Sequence, residues 1–232
     1  MPALSNVEKP LLVIGNKNYS SWSLRPWLLL RQFSVAFDER RLALDTPEFH
    51  DQIGRFSPSL RVPALHDDGL VVWDSLAICE YANERWLDGR GWPASLQARA
   101  LARAAAAEMH SGFAALRAQL PMNCRRRPDG YRWDAAAATD IARVQALWAL
   151  LRGSRQDGGV GDDGEFLCGE FGIVDAMFAP VAVRFIGYGV AMDGTAARYV
   201  EALAGLPAMR EWQAAAEAEP ERIAATEALV QA

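Results

Sequence analysis

Segments that can form strands are confined to the first third of this chain. Residues 10–15, Pro-Leu-Leu-Val-Ile-Gly, make a short apolar run closed by Gly15, the pattern of a buried strand. Leu24 to Phe33 repeats apolar residues at helical spacing, with Pro26 tolerable only in a first turn. Phe37 to Leu44 reads as a second strand, and Thr46 as the N-cap of a helix that opens with Pro47. Val62 to His66, the turn Asp67-Asp68-Gly69, and Leu70 to Trp73 read as a hairpin. Asp74-Ser75 can cap a third helix with Leu76, Ile78, Tyr81, Ala82 and Trp86 as its apolar positions. Strand–helix–strand connections give parallel pairs and hairpins give antiparallel ones, so a small mixed sheet is expected.

The character changes near Asp88. Residues 88–94 read as a linker, and no strand pattern follows it. Ser95 to Leu120 reads as one long helix stopped by Pro121. Asp134 to Arg152 reads as another, with Ile141, Val144, Trp148 and Leu151 on one stripe. The Gly/Asp-rich segment 157–164 reads as a loop, and Gly172 to Ile186 as a buried apolar helix. The 232 residues are enough for two small domains with cores of their own. The expected organisation is an α/β domain over 1–87, a linker over 88–94 and an all-α domain over 95–232.

Charge and cysteine usage exclude several functions. Acidic residues outnumber basic ones, 29 to 24, which argues against a nucleic-acid footprint. Arg125-Arg126-Arg127, beside Pro128, Asp129 and Gly130, is the one dense basic run. It reads as a solvated loop, with anion contact as the alternative. No run of about 18 apolar residues is present, so no membrane span is expected. Cys79, Cys124 and Cys168 lie far apart and the three histidines are scattered, so no metal site is expected. So few cysteines, with no secretory leader pattern, fit a reducing cytoplasm.

Four motifs could carry chemistry, and each also has a structural explanation. Tyr19-Ser20-Ser21-Trp22-Ser23 joins the first strand to the first helix. A helix N-terminus there offers free amides and favours an anion, yet serine is equally a preferred cap. Val62-Pro63 at a strand start can be a cis corner that turns backbone groups outward, or a trans proline at an edge. Asp74-Ser75 can hold the ammonium and carboxylate of an amino acid, or simply cap. Asp175, three residues after Gly172, reads as the acid of a capping box.

In order and spacing these motifs resemble the glutathione transferase superfamily, over approximately residues 10–220. Ser20-Ser21-Trp22-Ser23-Leu24-Arg25 resembles the serine motif of zeta- and theta-like members, with Ser20 at the catalytic position. Pro63 in Val-Pro-Ala-Leu is similar to the family's cis-proline turn. Asp74-Ser75 stands where most members have Glu-Ser or Gln-Ser, so its acid is one methylene shorter. Gly172 stands where members have the capping Ser or Thr, and Trp22 where zeta members carry Cys or Ala.

The resemblance implies a thioredoxin-like α/β domain followed by an all-helical domain, and a transferase joining glutathione to small hydrophobic electrophiles. It implies that Ser20 stabilises the thiolate and that Val62, Pro63, Asp74 and Ser75 bind glutathione. It also implies a second-substrate pocket with Trp22, Met109, Phe113 and Leu116 as walls. Glutathione is then the co-substrate, no metal is required, and a cytoplasmic homodimer active in detoxification is implied. Alternatives are a glutathione-dependent cis–trans isomerase of the maleylacetoacetate type, needing cations such as Arg25 for its substrate's carboxylates, or a non-catalytic scaffold. Disulfide exchange fits poorly, because the first cysteine is Cys79.

Overall fold

A computed structural model describes residues 9–153 and 164–229. Strand β1 (Leu11–Ile14) leads into helix α1 (Ser21–Gln32), followed by β2 (Asp38–Arg41) and α2 (Pro47–Ile53). The hairpin β3 (Ala64–Asp67) and β4 (Leu70–Trp73) precedes α3 (Ser75–Arg85). The sheet order is β2-β1-β3-β4, with β1 and β2 parallel and the other pairs antiparallel, as the connections required.

Alternation along the strands divides the apolar residues between two faces. Val13 and Ala64 join Leu42, Phe49 and Ile53 in a small cluster that includes α2. Leu12, Ile14 and Leu65 face the main core. That core runs without a break from α1 and α3 into the helices that follow. These are α4 (Leu96–Ser111), α5 (Ala114–Gln119), α6 (Ala135–Gly153), α7 (Ile173–Gly187), α8 (Gly194–Gly205), α9 (Pro207–Ala218) and α10 (Ala224–Leu229). The stripe Ile141, Val144, Trp148 and Leu151 is buried, as its spacing predicts. The 157–164 loop lies outside the described residues except for Gly164.

Two expectations are corrected. Helix α1 begins at Ser21, so Pro26 sits past its first turn. Burial on all sides outweighs the backbone bond that proline costs: Leu24, Trp27, Leu28, Leu29 and Leu30 are all fully buried. The helix expected over Ser95 to Leu120 is broken into α4 and α5. At the break the Gly112 amide donates to Glu108 O, and a Cβ on residue 112 would lie 2.7 Å from that oxygen. Phe113 then takes a left-handed φ of 57° and the chain restarts, with the Leu116 amide donating to Asp140 Oδ2 at 3.0 Å.

Asp175 is fully buried. Its Oδ2 accepts from the Gly172 amide at 2.9 Å and its Oδ1 from the Leu167 amide at 3.0 Å. Burial pushes this carboxyl up to about 6, against the downward pull of those amides. Gly172 is required here because a Cβ would stand 2.7 Å from Gly91 O, the backbone oxygen that receives the Ile173 amide at 2.9 Å. Supplying the missing hydroxyl therefore brings a clash as well as a cap. Gly172→Ser is expected to lower stability by about 1–3 kcal/mol, as overpacking does. Chemical denaturation of both proteins checks this, and a gain in stability would show that the cap outweighs the clash.

Candidate functional site

The strand register brings three of the sequence motifs to one end of the sheet. Strand β1 runs from Leu11 to Ile14 and then delivers the Ser20 loop. Its antiparallel neighbour pairs Ala64 with Val13, so Val62-Pro63 lies beside that same end. Strand β4 pairs Trp73 with Ala64, which brings Asp74 and Ser75 there too. In open α/β folds this carboxyl end of the strands is where ligands bind.

Ser20 is the N-cap residue of α1, but its side chain makes no capping bond. Its Oγ instead lies 2.7 Å from Ser23 Oγ, which accepts from the Gly15 amide at 3.1 Å. Ser23 is therefore a residue inside α1 rather than its cap. A hydroxyl has one proton to give and two lone pairs to offer. With one Ser23 lone pair taken by the Gly15 amide, its proton can go to Ser20, which leaves the Ser20 proton free for a ligand. Ser21 is buried, and its carbonyl accepts from Arg25 Nη1 at 2.9 Å.

The Val62–Pro63 bond is cis. Asp74 caps α3 from a positive φ of 107°. Its Oδ1 accepts from the amides of Leu76 at 2.9 Å and Ala77 at 3.1 Å, and its Oδ2 lies 2.6 Å from His110 Nε2. His110, on α4, has no motif around it, so only the fold reveals it. Ser75 Oγ is buried and has no hydrogen-bond partner among the described residues. An orphaned hydroxyl beside the α3 amides suits a carboxylate. Of the four expected pocket walls, Met109, Phe113 and Leu116 are sealed in the core, while Trp22 keeps exposed surface. The Trp22 ring meets His110 edge-on at 5.4 Å.

The loop before Ser20 is held by residues from the far end of the chain. Glu219 accepts from the Lys17 amide at 2.7 Å and the Asn18 amide at 3.0 Å. Trp212 Nε1 donates to Lys17 O at 2.9 Å, and Tyr19 Oη donates to Glu227 at 2.7 Å. Arg125 donates to the carbonyls of Glu219 and Glu221 and to Tyr19 Oη. Arg126 pairs with Glu227. The solvated-loop expectation for this basic run is thus overturned for Arg125 and Arg126, which tie the C-terminal segment to the N-terminal loop. Among the described residues no three His, Cys, Asp or Glu side chains gather in a metal-binding arrangement.

Residues 19–85 match the family "Glutathione S-transferase, N-terminal domain". The chain is 28% identical over 157 residues to a probable maleylacetoacetate isomerase of Caenorhabditis elegans, covering 67% of this chain and 72% of that one. A glutathione transferase homologue of Burkholderia gl BGR1, solved with bound glutathione, superposes with a TM-score of 0.68 at 22% identity, over 91% of this chain and 100% of that one. The nitrogen regulation fragment of the yeast prion protein Ure2p superposes at 0.64 and 19% identity, over 93% and 99%. Residues 19–85 are therefore similar to a glutathione transferase N-terminal domain, and the chain as a whole shares the fold of the solved glutathione transferases, in line with the resemblance read from the sequence.

The clamp on the loop has a measurable weight. Glu219→Ala leaves two loop amides without their charged acceptor and is expected to cost about 2–3 kcal/mol. Glu211→Ala, which removes an exposed partner of Arg31, is expected to cost less than about 1 kcal/mol. Urea unfolding of both variants checks the contrast.

Proposed function

We propose that this protein is a glutathione transferase in which the Ser20 hydroxyl stabilises the glutathione thiolate for attack on a small electrophile. The observation that carries this reading is the chain from the Gly15 amide through Ser23 to Ser20, in which Ser23 can donate to Ser20 and so free the Ser20 proton at the start of α1. A free thiol has a pKa of about 8.5, so little thiolate exists at neutral pH. A donated hydroxyl proton and the positive end of α1 both favour the anion. In this proposal Val62 pairs with the cysteinyl backbone after the Pro63 turn, and the orphaned Ser75 hydroxyl takes the γ-glutamyl carboxylate. Asp74 takes the ammonium, sharing its Oδ2 with His110. Residues 1–87 would carry glutathione, and residues 95–232, past the 88–94 linker, most of the electrophile pocket. A cis–trans isomerase is the second reading, favoured by the relative named as a probable maleylacetoacetate isomerase.

Titrating thiolate absorbance of the glutathione complex tests the assignment. Ser20→Ala is expected to raise the bound thiol's pKa by about one unit or more, about 1.4 kcal/mol, and to lower kcat with little change in affinity. Ser23→Ala is expected to move it in the same direction by less. An unmoved thiol pKa in Ser20→Ala would remove the serine from the mechanism.

Assembly and location belong to the same proposal. Leu70 and Trp73 stand exposed on β4 at the sheet edge, while Tyr81 and Trp86, also candidates for an interface, pack partly against the core. An apolar edge of this kind is suited to burial in a homodimer. Sedimentation at micromolar concentration is expected to give twice the 25.5 kDa chain mass, and Trp73→Glu to shift it toward the monomer. A wild-type chain that sediments as a monomer would defeat the dimer. The three cysteines are free thiols, and among the described residues no helix is long and apolar enough to cross a membrane. Free thiols fit a reducing cytoplasm, where a detoxifying transferase would act.

A further inference from the structure

The acid that caps α3 is shared with a histidine from the helical half of the chain. His110 Nε2 lies 2.6 Å from Asp74 Oδ2, and both side chains stay open to a ligand, at 32% and 41% exposure. An ionised carboxylate has about four lone-pair sites and no proton to give. On Asp74 the Leu76 and Ala77 amides take the two on Oδ1, and His110 takes one on Oδ2. One Oδ2 site is left, so an incoming cation has to enter beside the imidazole. Asp74 also holds a φ of 107°, a conformation that a residue other than glycine keeps only where its surroundings fix it. Its immediate neighbour, Ser75, is 1% exposed, and its Oγ has no partner among the described residues. An unmet donor beside a part-exposed acid matches the carboxylate and ammonium of an amino acid.

The charges around this pair act in opposite directions. Asp74 favours a positive charge on His110. The Trp22 ring that meets His110 edge-on also carries the guanidiniums of Arg25 and Arg117, 4.1 and 5.3 Å from its centre. Arg25 is near enough to Arg117 and to Arg184 of α7 to be repelled by both, and these cations oppose a further positive charge nearby. Other charged side chains on the neighbouring elements have partners of their own. Glu108 pairs with Arg143 of α6, Arg103 with Glu80 of α3, and Arg85 with Asp67. Asp140 and Asp175 accept from backbone amides.

We propose that His110 is a positioning residue for glutathione: in its neutral form it holds Asp74 Oδ2 where the ligand's ammonium arrives, and in its protonated form it takes the ammonium's place. The role rests on the glutathione reading, since the ammonium is that of the γ-glutamyl end. A neutral imidazole gives Asp74 one N–H and leaves the carboxylate charge for the ligand. Protonation at Nδ1 keeps that bond and puts a cation against the same oxygen. The ammonium and the ring proton are thereby opposed, and the opposition is reciprocal. Affinity falls as pH drops through the range in which histidine gains its proton, and binding in that range expels a proton.

Calorimetric titration of the full chain with S-methylglutathione tests this, because that ligand has no thiol proton to contribute. It is run at about pH 7.5 and about pH 5.5, in buffers of different ionisation enthalpy, beside the same ligand lacking its amino group. The wild type is expected to bind S-methylglutathione about tenfold more weakly at the lower pH and to release protons on binding there. The deaminated ligand should bind with an affinity that does not follow pH. His110→Gln keeps an N–H for Asp74 but gains no proton, so it should match the wild type at the higher pH and lose the fall at the lower one. His110→Ala should weaken S-methylglutathione about tenfold at the higher pH, the value of one charged hydrogen bond, and leave the deaminated ligand almost unchanged. A third of the His110 side chain is exposed, so both replacements are expected to fold.

Equal wild-type affinity for S-methylglutathione at the two pH values would overturn the proposal. So would a pH dependence that survives His110→Gln, or tighter binding by His110→Ala, and in each case glutathione binding itself would stand. A wild type that binds S-methylglutathione at neither pH would defeat the glutathione reading and this inference with it.

Discussion

The burial of α1 on every side is the constraint from which the rest of this structure follows. The helix packs against the sheet and α3 on one side and α7 on the other, so a single apolar core joins the two halves of the chain. Polar side chains on such a helix must be satisfied internally or carry a function. Ser23 is satisfied by the Gly15 amide and by Ser20. Arg25 is satisfied in part, by the carbonyls of Ser21 and Met177.

The same closeness accounts for the rigidity of the site. Ser20 follows a turn in which the Tyr19 and Ser20 amides donate to Asn16 O, so the Lys17 and Asn18 amides and carbonyls need partners from elsewhere. Glu219, Trp212 and the Cys124 amide meet them from about a hundred to two hundred residues away. Charged acceptors on backbone amides are among the stronger hydrogen bonds. The hydroxyl is thereby held by the C-terminal segment as much as by the strand that delivers it.

The acid and the bulky ring that set this chain apart from the resemblance meet in space. Asp74 is shorter than Glu, and its second oxygen is taken by His110. His110 in turn packs edge-on against Trp22. A link therefore runs from the α3 cap to the ring that carries the arginines. Glycine at 172 has a comparable explanation: a backbone oxygen occupies the place of its missing side chain.

The sequence by itself determined the strand and helix order, the mixed sheet and the long apolar helices. These follow from periodicity and turn chemistry, which act over a few residues. It also identified Ser20, Val62-Pro63 and Asp74-Ser75 as the motifs that meet, since their places beside the strands fix their end of the sheet. Tertiary structure alone decided that α1 could run past its first turn through Pro26, because that depends on what buries the helix. It decided the break at Gly112, where a neighbouring carbonyl leaves no room for a side chain. The partnership of Asp74 with His110, the clamp from Glu219 and Arg125, and the gathering of Arg25, Arg117 and Arg184 were also beyond sequence. Each joins residues far apart in the chain, and residue type alone does not say which distant charge or amide a side chain will meet.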